Sequence, residues 1–248
     1  MNIKILVATH KQYWMPEDSV YMPIHVGREG KEDIGYTGDN TGDNISSKNA
    51  NYCELTGLYW AWKNLDADYI GLVHYRRYFM NVNRPFFIKG SSKNILKYED
   101  IEKLLTNTDI IVSKKRHYYI ESIWNQYIHA HQAQPLVELE KIIHELYPSY
   151  DDAFKSLKKR TWGHMFNMFI MKRNKFDEYC NWLFSILFEL EKNINDIEPR
   201  LFGFLSERLL DVWLEANQYI YKEVPVGFME SQNWLMKIGN FISRKFYK

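Results

Sequence analysis

Two cysteines in 248 residues, Cys53 and Cys180, are too few for a disulfide scaffold, and their scarcity predicts a protein that works in a reducing compartment. An excess of charge of either sign is also missing. Lys and Arg number 32 against 31 Asp and Glu, which excludes a protein built mainly to coat nucleic acid and requires any basic site to be local. No apolar run reaches the roughly 20 residues that span a bilayer. No leader precedes Lys4-Ile-Leu-Val7, so the expected location is the cytoplasm. GxGxxG, P-loop and HExxH patterns are absent, which removes dinucleotide oxidoreductases, P-loop kinases and zincins from consideration.

Aromatic residues are abundant instead: 16% of the chain, with 18 tyrosines and 8 tryptophans, more than a core needs and suited to stacking on rings. The chain is long enough for one large domain, and a single domain over residues 1–248 is expected. Ile3 to Ala8 reads as a first, central strand, and Thr9-His10-Lys11 stands at its carboxyl end. The Gly, Asp, Asn and Ser content of residues 27–49 predicts a long loop, and loops of that length are usually functional. Leu55, Leu58, Tyr59, Trp62 and Leu65 then recur at helical spacing. Further strands are predicted at 69–73, 109–113 and 166–171, and helices at 98–106, at 121–147 with a break near Pro135, at 175–192 and at 204–216. This alternation predicts an α/β fold with a mostly parallel central sheet and helices on both faces. Residues 231–248 read as an amphipathic basic helix, either docked on the fold or lying at a membrane interface.

In open α/β sheets ligands sit beyond the carboxyl ends of the strands. The predicted strand Tyr69-Ile-Gly-Leu-Val73 runs directly into His74-Tyr75-Arg76-Arg77, a set of forked donors and flat faces fit for an anion and a ring, or else an edge whose arginines pair with carboxylates elsewhere. Asp66-Ala-Asp68 has the form of a metal-binding Asp-x-Asp, but it precedes the strand and reads as a turn. Counting from Asp39, the Gly-Asp-Asn-Thr-Gly-Asp-Asn stretch puts Asn44 and Ala50 where a calcium loop needs glycine and glutamate, so it is no EF-hand. His129 and His131 fall on different helix faces, which makes a shared metal improbable and leaves His131 as a ligand-contact candidate. Glu207 and Arg208 interrupt an apolar helix. Glu207 is either a helix-start charge partner or a base.

Lys48-Asn49, Tyr52 to Trp60, Gly71 to Phe79, Thr161 to His164, Asn167 to Met171, and Arg200 with Gly203 to Leu209 together resemble a bacterial family of capsule and exopolysaccharide gene clusters, long catalogued as a domain of unknown function. The resemblance covers nearly the whole chain. It implies a glycosyltransferase, with some members linked to galactofuranose transfer, and a single-domain nucleotide-diphospho-sugar fold of the metal-type GT-A architecture. Where that architecture carries Asp-x-Asp, this chain carries His74-Tyr75-Arg76. Guanidinium groups can neutralise a diphosphate leaving group directly, so Mn2+ or Mg2+ becomes optional and no metal ligand is assigned.

The resemblance further implies a donor site formed by Thr9, His10, Lys11, Asp43, Asn44, Lys48, Asn49 and Glu54 with His74, Tyr75, Arg76 and Arg77. Trp162, Gly163 and His164, with His131 and Arg208, would frame the acceptor, and Glu207 would be the base. The expected partners are a UDP-sugar and a lipid-linked glycan, with no nucleic acid and with peripheral contact at the inner membrane face as an option. The expected reaction is inverting hexose transfer. The alternatives are a catalytically silent sugar- or nucleotide-binding subunit of an assembly complex and a surface protein that binds acidic partners.

Overall fold

Apolar side chains alternate along the first strand with a period of two, so one set must face each side of a sheet. In the computed structural model, which describes residues 1–82 and 89–231, they do: Ile3, Ile5 and Val7 enter one core and Leu6 and Ala8 the other. The strands in chain order are β1 (Ile3–Thr9), β2 (Tyr21–His25), β3 (Thr37–Gly38), β4 (Tyr69–His74), β5 (Arg77–Phe79), β6 (Ile110–Ser113), β7 (Arg116–His117), β8 (Trp162–Gly163), β9 (Phe169–Lys172), β10 (Lys222–Val224) and β11 (Val226–Phe228). The helices are α1 (Asn49–Tyr52), α2 (Leu55–Asn64), α3 (Tyr98–Leu105), α4 (Ile123–Ala130), α5 (Gln134–Leu146), α6 (Asp151–Ser156), α7 (Arg173–Asn193) and α8 (Leu201–Ala216).

The central sheet runs β10-β6-β9-β4-β1-β2-β3, with β5 and β11 attached beyond β4. The β1–β2, β1–β4, β2–β3 and β6–β10 ladders are parallel. β9 runs antiparallel to both β4 and β6. This one reversal has a functional result. Because Phe169, at the start of β9, pairs with Leu72 near the end of β4, the residues leading into β9 arrive at the same sheet edge as the carboxyl ends of β1, β4 and β6.

Helices occupy both faces unequally. One face carries the apolar sides of α2 and α4 to α8, whereas the other is covered by α3 together with Tyr13, Met15, Ile95 and Leu96. The expected helix over the Asn51–Leu65 stretch is interrupted. Cys53 takes φ 52°, which separates α1 from α2 and turns Glu54, the residue before α2, towards the strand exits. Asp66 and Asp68 lie at the opposite end of the sheet, where the Asp68 carboxylate and the Asp66 carbonyl accept bonds from Asn2. The amphipathic helix expected at 231–248 lies, apart from its first residue Ser231, outside the described residues.

Candidate active site

β4 ends in a tight reversal. His74 pairs with Arg77 across an antiparallel bridge, so Tyr75 and Arg76 form the tip and the two arginines point to different regions. Arg77 pairs through its backbone with Phe228 of β11, and its guanidinium lies over the Phe166 ring at 4.7 Å and the Phe228 ring at 5.6 Å. Its Nε is buried and has no hydrogen-bond partner among the described residues, although an arginine has five donors to satisfy. Burial, followed by the attraction of Glu207 and Glu54, dominates its electrostatic surroundings.

Glu54 and Glu207 approach this cation from α2 and α8. The Glu54 Oε1 accepts a bond from Asn167 Nδ2 at 2.7 Å and lies 3.8 Å from His74 Nε2. The partner of that His74 nitrogen is the Phe166 carbonyl at 2.8 Å, which can only accept, so the proton is assigned to Nε2. Burial holds the imidazole below its ordinary pKa, with Glu54 opposing and Arg77 reinforcing the shift, so His74 is neutral near pH 7.

Glu207 sits in the second turn of α8, past the reach of N-terminal capping, which removes the simplest structural reason for a carboxylate there. Its side chain keeps 20% of its surface open and has Arg208 Nη1 at 3.9 Å. Burial pushes its carboxyl above the usual range; Arg208 pulls it down, Glu54 pushes it up, and Arg77 and Arg116 pull it down. A carboxylate that is partly open, desolvated and ringed by arginines has the properties of a general base.

The exposed strand exits form a second region. Thr9 Oγ1 donates to the Lys11 carbonyl at 2.6 Å and closes a small turn. His10 meets the Tyr75 ring edge-on at 5.5 Å, Tyr13 meets it at 4.9 Å, Lys11 Nζ stands 5.4 Å from it and Arg76 4.9 Å. Arg76 is 46% exposed and pairs with Glu230 at 3.4 Å.

Several other expected contacts lie elsewhere. Asp43 accepts a bond from Tyr59 and its backbone is held by Asn64, the last residue of α2, remote from the strand exits. Asn44 closes its own turn by bonding Gly42 and Ser46. Lys48 pairs with Glu191 of α7 at 2.5 Å, and the Asn49 amide bonds the Cys53 carbonyl and Thr56 while packing against Gly27. These side chains are engaged in contacts within the fold.

The acceptor set divides likewise. His164 is fully buried, bonded to Asp211 through Nδ1 at 2.5 Å and near Glu223 through Nε2 at 3.3 Å, so it offers no surface for an acceptor. Trp162 carries Lys115 at 4.1 Å and Arg160 at 4.7 Å over its ring, and Gly163 is packed between Met165 and Asp211. Arg208 spends two nitrogens on the Phe204 carbonyl and Gln126, so it braces α8 against α4 beside Glu207. His131 leans on Phe204 and Tyr127 and pairs with Glu198, flanking the start of α8.

Two crevice residues carry no assigned role in the sequence motifs. Arg116 acts on both Arg77 and Glu207, and the strand-exit rule applied to β6 would have found it in Lys114-Lys115-Arg116. Asn167 falls inside the strand expected at 166–171, yet the ladder starts only at Phe169. Among the described residues no group of three or more His, Cys, Asp or Glu is arranged to hold a metal ion. None of the helices is long and apolar enough to cross a membrane, again among the described residues.

No curated protein matches the chain. A solved structure described as the WbbM bifunctional glycosyltransferase in its apo form superposes with a TM-score of 0.84 at 31% identity, over 93% of this chain. The chain spans 46% of that larger protein. Residues 4–218 match the family described as domain of unknown function DUF4422, and the chain therefore belongs to that family.

Proposed function

We propose that the protein is a glycosyltransferase that moves a hexose from a UDP-sugar to a glycan acceptor with inversion. The observation that carries this reading is the partly open, desolvated Glu207 carboxylate, 3.9 Å from Arg208 and within electrostatic reach of Arg77 at the exit of β4. The similarity to a glycosyltransferase over 93% of the chain supports it. Glu207 takes the proton of the acceptor hydroxyl as its oxygen attacks the anomeric carbon. The bond from that carbon to the diphosphate oxygen breaks, and UDP leaves with its new charge met by Arg77 and Arg116. One base and one displacement give inversion. The His10, Tyr13 and Tyr75 rings with Lys11 suit the nucleoside end of the donor.

A metal ion fits the crevice poorly, because Glu54 is engaged by Asn167 and His74, Glu207 lies beside Arg208, and no group of three or more His, Cys, Asp or Glu is arranged to hold an ion among the described residues. The guanidinium groups take over leaving-group neutralisation in this reading. Turnover should survive EDTA; loss of turnover restored by Mn2+ or Mg2+ would assign that role to an ion. For the acceptor, Tyr119 and Ile120 are 84% and 48% exposed just past Arg116, which suits a glycan carried on lipid at a membrane face. Galactofuranose is the donor sugar favoured by the family resemblance.

The deciding experiment is a screen of labelled nucleotide sugars with lipid-linked acceptors, run beside a UDP titration. Turnover with an inverted product supports the proposal. UDP affinity without turnover for any donor would leave a binding subunit, and no UDP affinity would remove the nucleotide altogether.

A further inference from the structure

Phe166 and Asn167 both adopt the left-handed conformation, with φ of 80° and 52°. Such backbone is strained for a residue that carries a side chain and persists where the surroundings over-determine it. They do so here. Ser113 Oγ donates to the Met165 carbonyl at 3.1 Å, and the amide and Nδ1 of His164 both bond the Asp211 carboxylate. Ser206 Oγ lies 3.1 Å from Asn167 Oδ1, and Asn167 Nδ2 lies 3.2 Å from the Gly203 carbonyl. A carbonyl only accepts, so Gly203 fixes which end of the amide carries the hydrogens. The NH2 group is thereby aimed at Glu54, 2.7 Å away.

We propose that Asn167 is a positioning residue: its amide holds the Glu54 carboxylate at a fixed place beside His74 and Arg77, which leaves Glu207 as the group that exchanges the proton. The turn reaches both sides of the crevice, since the Phe166 carbonyl accepts the hydrogen bond of His74 Nε2 and the Phe166 ring underlies Arg77. Besides Ser113 at the end of β6, the latches on the turn come from α8, where Ser206 and Asp211 flank Glu207. One helix therefore sets the geometry of Glu207 directly and of Glu54 through Asn167. The fixed charge on Glu54 also helps to keep the Glu207 carboxyl above its usual range.

The test uses Asn167→Asp, which keeps a side chain that tolerates left-handed backbone, and Asn167→Gly, which keeps the backbone alone. The first readout is the His74 ring in 15N-edited spectra across a pH titration, which needs no substrate and stands apart from the transferase reading. With Asn167→Asp a second carboxyl faces Glu54, and with Asn167→Gly Glu54 is free to turn onto the imidazole. Either change should raise the His74 pKa by about one unit or more. Where a nucleotide sugar is turned over, kcat should fall at least about tenfold with UDP affinity held within about twofold, and the acid limb of kcat should move. A merely structural Asn167 would lower the melting temperature and leave the titration of His74 where it was. An unchanged His74 titration in a folded Asn167→Gly protein overturns the proposal, whatever Asn167→Asp does and whether or not any sugar is transferred.

Discussion

Arg76 and Arg77 are neighbours in the chain and inhabit different regions of the molecule. Arg77 lies between aromatic rings in a crevice with Glu54, His74 and Glu207, shielded from water. Arg76 lies on the open rim with His10, Lys11, Tyr13 and Tyr75, nearly half exposed and paired with Glu230 at the edge of hydrogen-bond range. The two-residue tip between His74 and Arg77 causes the division, because it points consecutive side chains to opposite sides. The same charge has different worth in the two places. In the crevice a charge acts through few solvent dipoles, whereas on the rim it is screened by water and salt. Chemistry belongs to the crevice in this reading, and recognition to the rim.

The largest effect should come from the crevice. Glu207→Gln removes the base while nearly preserving shape, so turnover should drop by about 10²–10⁴-fold with little change in UDP affinity. The wild-type pH profile sharpens the point. Because burial raises the Glu207 pKa, the base is protonated up to a higher pH than an ordinary glutamate, and kcat should climb with pH through a limb above the usual carboxylate range. Glu54→Gln should leave that limb lower, since the charge that raises it is gone. Near-normal turnover in Glu207→Gln would transfer the role of base to Glu54.

Arg77→Ala and Arg76→Ala measure the comparison itself. Losing a charge-assisted bond to a diphosphate from the shielded site should cost on the order of 1.5–3 kcal/mol in UDP binding. The exposed Arg76 should cost under about 1 kcal/mol and lose most of that at high salt. Isothermal titration at two ionic strengths reads both quantities. Equal losses with equal salt dependence would erase the distinction between crevice and rim.

Much of the scaffold was legible because it rests on local pattern. β1, β4 and β6 are short apolar runs, and α7 repeats its buried residues at helical spacing. The strand-exit rule points to His74, Tyr75, Arg76 and Arg77 together, and the fold divides them, with His74 and Arg77 beside Glu54 and Arg76 on the rim. The features that could not be read are those the topology decides. Antiparallel β9 carries the Phe166–Asn167 turn to the site, and nothing in Phe-Asn-Met-Phe-Ile-Met reveals its direction. Two-residue strands such as β3, β7 and β8 have no period to detect. The burial of His164, which the family resemblance implies as an acceptor residue, is equally hidden, because its two carboxylate partners, Asp211 and Glu223, lie 47 and 59 residues away.

On the rim, Lys11→Ala should weaken UDP binding by about 0.5–1 kcal/mol, the worth of one exposed cation beside aromatic rings. The effect should be additive with that of Arg77→Ala, since among the described residues Lys11 stands over Tyr13 and Tyr75 and Arg77 over Phe166 and Phe228. Strong coupling in a double-mutant cycle would mean that both hold one group of the donor.

The smallest effect is expected at Asp43, and it tests where the donor region ends. The loop carrying Asp43 is polar and long, which made it a candidate for the nucleotide. In the fold its carboxylate accepts a bond from Tyr59 at 3.1 Å, and its backbone is tied to Asn64 at 2.8 and 3.2 Å. Asn64 closes the end of α2 that leads into the start of β4, away from Arg76 and Arg77 beyond that strand's exit. An exposed strut of this kind contributes about 0.5 kcal/mol or less. Asp43→Ala should therefore lower the melting temperature slightly and leave UDP affinity within about twofold, because the replaced group is too remote to meet a phosphate or a base. A tenfold loss of UDP affinity in a stable Asp43→Ala protein would extend the binding region around α2 and break the assignment of recognition to the rim alone.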